Sequence, residues 1–242
     1  MSDLVRYSSA TEESPLSWET ICEDDWRDYL HPSDRVNEGT VRRVYPDTPA
    51  YHQVVNLRYH GLVETGFLDP RTARLESMAL ERDSDSVIIG LFEDLRILAT
   101  ITLNIRTPRF PGLAMELEKG VAIDTPEFLG SRAMECSKFV VHPKARGFRS
   151  ILKLLPPVIV VSQLFGRRYL WQVSRDIPGD RSWREGLGFD YTQGIRFIDR
   201  SLNNMPSCVG SLDLNRVLEK PAVPRLVRSI YRRYLPGATP SL

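Results

Sequence analysis

The stretch DSVIIGLFEDLRILATITLNI, residues 85–105, constrains the fold more than any other part of the chain. The first half is rich in Val, Ile and Leu and the second in Ile, Leu and Thr, and only a short acidic turn at Glu93 and Asp94 separates them. A connection that short leaves no room for a helix, so Val87–Phe92 and Ile97–Ile105 are predicted to pair as an antiparallel hairpin. Upstream, VRRVYPD (41–47) reads as a strand start. In TPAYHQVVNLRYHGLVETGFL (48–68), Tyr51, Val54, Val55, Arg58, Tyr59 and Leu62 recur at helical spacing after a Thr-Pro start, with Gly66 near the end.

Downstream, a loop rich in proline and charge leads to AMECSKFVVHP (133–143), a strand closed by Pro143. FRSILKLLPPVIVVSQLFG (148–166) is apolar and helical in its first half, and Pro156 and Pro157 predict a kink or a split. RRYLWQVS (167–174) reads as a strand, DRSWREGLGF (180–189) as a short helix and DYTQGIRFIDR (190–200) as the last strand. The fold class is therefore α+β, a central mixed sheet flanked by helices. Residues 1–40 are polar and acidic without sustained periodicity and read as an accessory arm, residues 41–212 as the domain. Residues 213–242 end in PRLVRSIYRRYLPG, a basic amphipathic helix with Leu226, Val227, Ile230, Tyr231, Tyr234 and Leu235 at helical spacing. Such a helix packs one face on the sheet, and its arginines also suit an anionic membrane surface.

At 242 residues, the chain suits one large domain. Lys+Arg 32 against Asp+Glu 31 names no partner by net charge. Cys22, Cys136 and Cys208 are too far apart for metal-ligand spacing, and three free thiols fit a reducing compartment. The N-terminus lacks a signal-peptide apolar run and no stretch approaches 18 apolar residues, so a cytoplasmic protein is expected. No metal site is expected, nor nucleic acid, because the basic residues lack aromatic interleaving.

The chemistry concentrates in MECSKFVVHPKARGFRS (134–150). A strand bearing Glu135, Ser137 and Lys138 runs into Lys144, Arg146, Gly147, Arg149 and Ser150 at a helix start. Exposed N–H groups and the helix dipole there favour an anion, and a glycine lets backbone approach a phosphate. A solvated basic turn would have the same composition.

The order strand, HPKARG loop, helix, strand, then WREGLGF before a final strand, resembles the GNAT acyltransferase fold. ECSKF (135–139) resembles the E-x-S-[R/K]-F element of the acyl-homoserine-lactone autoinducer synthases, and LRYHGLVETGFL (57–68) a helix these share with the long-chain N-acyl amino acid synthases. The Arg58 to Gly66 spacing and the ATITL strand fit the N-acyl amino acid synthases better. The resemblance, covering roughly residues 45–200, implies transfer of a fatty acyl group from a thioester to the amine of an amino acid. Arg149 stands where GNAT enzymes carry a second loop glycine, Thr102 where an arginine is expected, and Leu62 and Leu68 where lactone synthases have aromatics. A single-glycine loop suits the one phosphodiester of acyl carrier protein, whose phosphopantetheine thioester is then a co-substrate, better than it suits acyl-CoA. No resident cofactor is expected.

On this reading Glu135 accepts the amine proton, directly or through water, and backbone N–H near Phe139 or Val140 receives the oxyanion. Lys138 and Arg58 take the acceptor carboxylate, Arg58 by a bidentate fork. Ser137 orients a partner or protonates the thiolate. Cys136 faces away from Glu135 by strand alternation, which places it in the core. Two alternatives stay open: a lactone synthase using S-adenosylmethionine, and a carrier-binding sensor without catalysis.

Overall fold

The computed structural model describes Leu30, residues 41–191 and residues 194–235. Seven strands, β1 (Val41–Val44), β2 (Ser86–Glu93), β3 (Arg96–Asn104), β4 (Ala133–Val141), β5 (Tyr169–Arg175), β6 (Arg196–Asp199) and β7 (Met205–Asp213), form one sheet in the order β1-β2-β3-β4-β5-β7-β6. Only β4 and β5 run parallel; every other neighbouring pair is antiparallel. The hairpin, the early helix and the Glu135 strand lie where the periodicity puts them.

Helices cover both faces. On the first lie α1 (Pro49–Glu64), α2 (Ala114–Lys119) and α3 (Pro126–Leu129); on the second lie α4 (Phe148–Leu164), α5 (Pro178–Gly186) and α6 (Arg225–Tyr234). Pro49 at N1 supplies a preset φ, and Tyr51, Val54, Val55 and Arg58 bury the inward stripe of α1. Gly61 continues that stripe for a steric reason: a Cβ there would stand 2.3 Å from Val140 Cγ1 on β4. The helix therefore lies against the strand that carries Glu135. Alternation along the sheet separates the two cores. Ile88, Phe92 and Val140 pack with α1, whereas Ile89, Leu103 and Cys136 pack with α4 and α6.

Two expectations fail for identifiable reasons. Helix α4 runs unbroken through Pro156 and Pro157. Two N–H donors are missing there, but the segment Leu154–Ser162 is buried throughout, and packing outweighs the lost bonds. The final strand expected over 190–200 shrinks to β6 plus an isolated bridge between Asp190 and Ser211, and β7 follows it unforeseen. MPSCVGSLD offers little strand propensity, and β7 forms because it is held between β5 and β6. β7 spans position 212, and Val227, Ile230, Tyr231 and Tyr234 of α6 join the core around α4. The loop between β3 and β4 also contains α2 and α3. The arm over 1–40 lies outside the described residues except Leu30, which is buried in that same core.

Candidate active site

Strands β4 and β5 begin side by side and then part. Ala133, Met134 and Glu135 pair with Tyr169, Leu170 and Trp171, and no pairing continues beyond. The splay opens a cavity of about 1060 Å³ that passes between the strands and is lined from both faces of the sheet. Large pockets of this kind are where ligands bind, and the volume is ample for an extended acyl chain.

A β-bulge shapes the wall at the point of parting. Thr102 pairs with Ser137 and Thr100 with Val140, so Lys138 and Phe139 together oppose Ile101 alone. Lys138 has φ of 49°, a left-handed value uncommon outside glycine and asparagine, and bulges of this kind gather beside active sites. The extra residue shifts the alternation. Glu135 and Ser137 face α1 and α2 before the bulge, Val140 faces α1 after it, and Phe139 turns to the other face, where its ring lies 5.7 Å from that of Trp183 on α5.

Glu135 is 1% exposed and accepts a hydrogen bond from the backbone N–H of Met115 at 2.9 Å. Burial raises its pKa; the Met115 N–H and the Lys138 ammonium oppose that rise, while Glu118 adds to it. The result is a carboxyl group held at the cavity wall and more basic than a solvated one. Ser137 accepts from Asn104 Nδ2 at 2.7 Å, and Asn104 Oδ1 accepts from Ser86 Oγ at 2.7 Å, so a buried relay fixes the hydroxyl. Lys138 lines the cavity and reaches Glu118 at 3.3 Å. Cys136 lies in the core on the opposite face, as alternation predicted, and burial pushes its thiol up, which removes it as a nucleophile.

Arg58 departs from expectation. It is 1% exposed, and Nη1 and Nη2 meet Asp83 Oδ2 and Oδ1 at 2.5 and 3.2 Å. The same nitrogens donate to Met78 O at 3.0 Å and Thr102 Oγ1 at 2.8 Å, and Tyr51 donates to Asp83 at 2.6 Å. The fork expected for an acceptor carboxylate is thus taken by one of the protein's own. Burial and the Asp83 bond push the Tyr51 hydroxyl up to about 12. Nearby, Arg82 donates to the carbonyls of Ile105 and Gly112 and acts on Glu135 only through its field.

In the basic loop, Gly147 caps α4 at φ of 141°, which favours glycine, and no side chain satisfies the first turn of the helix. Arg146 and Gly147 line the cavity mouth, Arg146 pairing with Glu64 at 2.7 Å. Lys144 and Arg149 are exposed and point to solvent outside the cavity lining. Ser150 does not face a donor: its hydroxyl donates to Ala145 O at 2.6 Å and closes the loop.

Sequence reasoning missed Asn104, Asp83 and Arg184. Thr100, Thr102 and Asn104 alternate as polar residues in ATITLN, a legible sign that this face of β3 meets polar neighbours rather than plain core. Nothing in the sequence singles out Asp83 or Arg184.

A mixed sheet opened between its one parallel pair, with a helix N-terminus at the mouth and a buried carboxyl in the wall, defines an acyltransferase of the GNAT fold. A family model described as N-acyl amino acid synthase FeeM matches residues 53–173, half of the chain, and the chain belongs to that family. Among solved structures, FeeM, an N-acyl amino acid synthase from uncultured soil microbes, is 17% identical with a TM-score of 0.60, covering 74% of this chain and 93% of that one. A proposed acetyltransferase from Acinetobacter baylyi ADP1 is 16% identical with a TM-score of 0.51 over 76% and 96% of the two chains. The CoA-dependent acyl-homoserine lactone synthase BjaI overlaps more loosely, at 15% identity and a TM-score of 0.48 over 82% and 91%. No curated protein matches by sequence.

Proposed function

We propose that the protein joins a fatty acyl group from acyl carrier protein to the amine of an amino acid, releasing the carrier's thiol. The observation that carries this reading is Glu135: a buried carboxyl with raised pKa, anchored by one backbone N–H and set where β4 leaves β5. A raised pKa makes the carboxylate a better base toward an ammonium or its water, the step that frees the attacking amine. Lys138, beside it at the bulge, receives the acceptor carboxylate in place of its exposed partner Glu118. The oxyanion goes to backbone N–H at Phe139 or Val140, where the bulge breaks one-to-one pairing with β3.

The donor enters from the other face, where α4 presents its uncapped first turn at Gly147. One phosphodiester fits a loop with a single glycine, which favours carrier protein over CoA. Lys144 and Arg149 beside the mouth, with Arg225 and Arg232 on α6, give an exposed positive surface for an acidic carrier helix. Arg228 and Arg168 do not contribute, because the first is bonded to the carbonyls of Val223 and Lys220 and the second to Asp213. Among the described residues no helix is long and apolar enough to cross a membrane.

Mass spectrometry of lipid extracts from cells expressing the protein, beside cells expressing Glu135→Ala, tests the reading. An N-acyl amino acid present in the first and absent from the second is expected. An acyl-homoserine lactone instead would assign the acceptor to S-adenosylmethionine, and no new lipid from a folded protein that binds carrier would leave a sensor.

A further inference from the structure

Arg184 on α5 stands apart from the other cations at the cavity. Arg58, Lys138, Arg146 and Arg175 each pair with a carboxylate, and Arg200 is exposed to solvent. Arg184 lines the cavity, its Nη1 donates to Asp180 O at 3.1 Å, and its guanidinium carbon stands 4.3 Å from the centre of the Trp183 ring. No ion pair joins it to a carboxylate among the described residues, the nearby Asp180 carboxylate being taken by Arg175. Burial lowers its pKa while the fields of Tyr191 and Asp180 oppose that fall, and the guanidinium keeps its proton.

Its position limits what it can meet. Glu135 and Lys138 meet the amine and the carboxylate of the acceptor from the face of α1 and α2. Arg184 lies on the opposite face, among Trp183, Phe139 and the helices around the donor's mouth. The acceptor carboxylate belongs to the first face and the donor phosphate to the α4 N-terminus. The anion left for the second face, inside the splay, is the one the reaction creates.

We propose that Arg184 is a catalytic residue that holds the thiolate expelled from the acyl donor, which rests on the acyl-transfer reading above. The amine nitrogen bonds to the thioester carbon and the carbonyl becomes an oxyanion. The nitrogen's proton passes to Glu135. The carbonyl re-forms, the carbon–sulfur bond breaks, and its electron pair leaves with the sulfur, where Arg184 meets the charge by a charge-assisted hydrogen bond. The thiolate takes a proton from solvent as the carrier departs, and Glu135 returns its own. Ser137, held by Asn104 on the other face, is not needed for this step.

The test varies the leaving group. Purified wild type, Arg184→Gln and Arg184→Lys are compared with two synthetic donors of the same acyl chain, an N-acetylcysteamine thioester and a thiophenyl thioester, and an amino acid acceptor. The alkyl thiolate needs stabilising and the aryl thiolate scarcely does. With the alkyl donor, Arg184→Gln is expected to lose about 10²–10³-fold in kcat/KM, the usual cost of removing one donor to a developing anion. With the aryl donor it stays near wild type, and Arg184→Lys falls between. Equal losses with both donors, in variants that melt like wild type, would overturn the assignment. Should Arg184→Gln fail to fold, Arg184→Lys carries the same test, with a smaller selective loss expected and an equal loss against it. A wild type that releases thiol from neither donor into amide would instead sink the acyl-transfer reading itself.

Discussion

The two walls of the cavity each hold an arginine, Arg58 buried and Arg184 half-buried, in opposite circumstances. Arg58, under α1, gives its fork to Asp83 and the rest of its terminal donors to Met78 and Thr102, with Tyr51 closing the far side of the carboxylate. Arg184, under α5, has one backbone partner and no carboxylate among the described residues. A buried charge whose fork is matched by the protein's own carboxylate is part of the scaffold. One whose partners are missing is either an error of packing or half of an interaction completed by something that binds. Glu135 belongs with Arg184: a single backbone N–H holds it, and burial works against its ionised form.

That contrast predicts opposite effects of mutation, the largest at Glu135. Glu135→Gln should cut amide formation by about 10²–10⁴-fold, the usual share of a general base, while its carbonyl can still accept from Met115. The same variant should be more stable than wild type at neutral pH. Because the folded pKa is raised above the unfolded value near 4.3, the folded form binds more protons, and wild type loses stability as pH rises from that value through the folded one. Thermal melts of both proteins across this range should diverge as pH rises, and kcat/KM of wild type should rise with pH above the ordinary carboxylate range.

On the saturated side, Asp83→Ala strands the Arg58 charge. Breaking such a buried pair costs about 3–5 kcal/mol, a drop of roughly 6–20 °C in Tm, and a stable Asp83→Ala would erase the distinction between the walls. Gly61→Ala tests how closely α1 must approach β4. The added Cβ meets Val140 Cγ1 at 2.3 Å, and overpacking of this order costs about 1–3 kcal/mol. Because Val140 ends the bulge, activity should fall beyond what lost stability explains. Lys138→Ala should change stability least, since its half-exposed pair with Glu118 is worth about 0–1 kcal/mol. Its effect should be a raised KM for the amino acid with kcat nearly kept.

The sequence disclosed those features that depend on spacing. Two β-prone runs across a short turn made the hairpin, the Tyr51-to-Leu62 stripe made α1, and alternation put Cys136 in the core opposite Glu135. Features set by distant partners stayed hidden. Asp83 sits in ERDSD, which reads as an exposed polar turn, so Arg58 looked free. The bulge at Lys138 needs a left-handed residue that no glycine announces, and it alone moves Val140 to the face of Glu135. β7 is weak in strand formers and exists because two neighbours hydrogen-bond to it. Arg184 lies in WREGLG, where an arginine on a short helix reads as solvated, whereas in the fold it lines the cavity.

The central claim is that a thioester in this cavity is aminolysed by an amino acid. Purified protein should be given acyl carrier protein charged with a fatty acid and a mixture of amino acids, and carrier and small molecules followed together by mass spectrometry. One N-acyl amino acid is expected for each holo-carrier released, with both lost in Glu135→Gln. Free fatty acid in place of amide, or a carrier that stays charged, would contradict aminolysis by an amino acid.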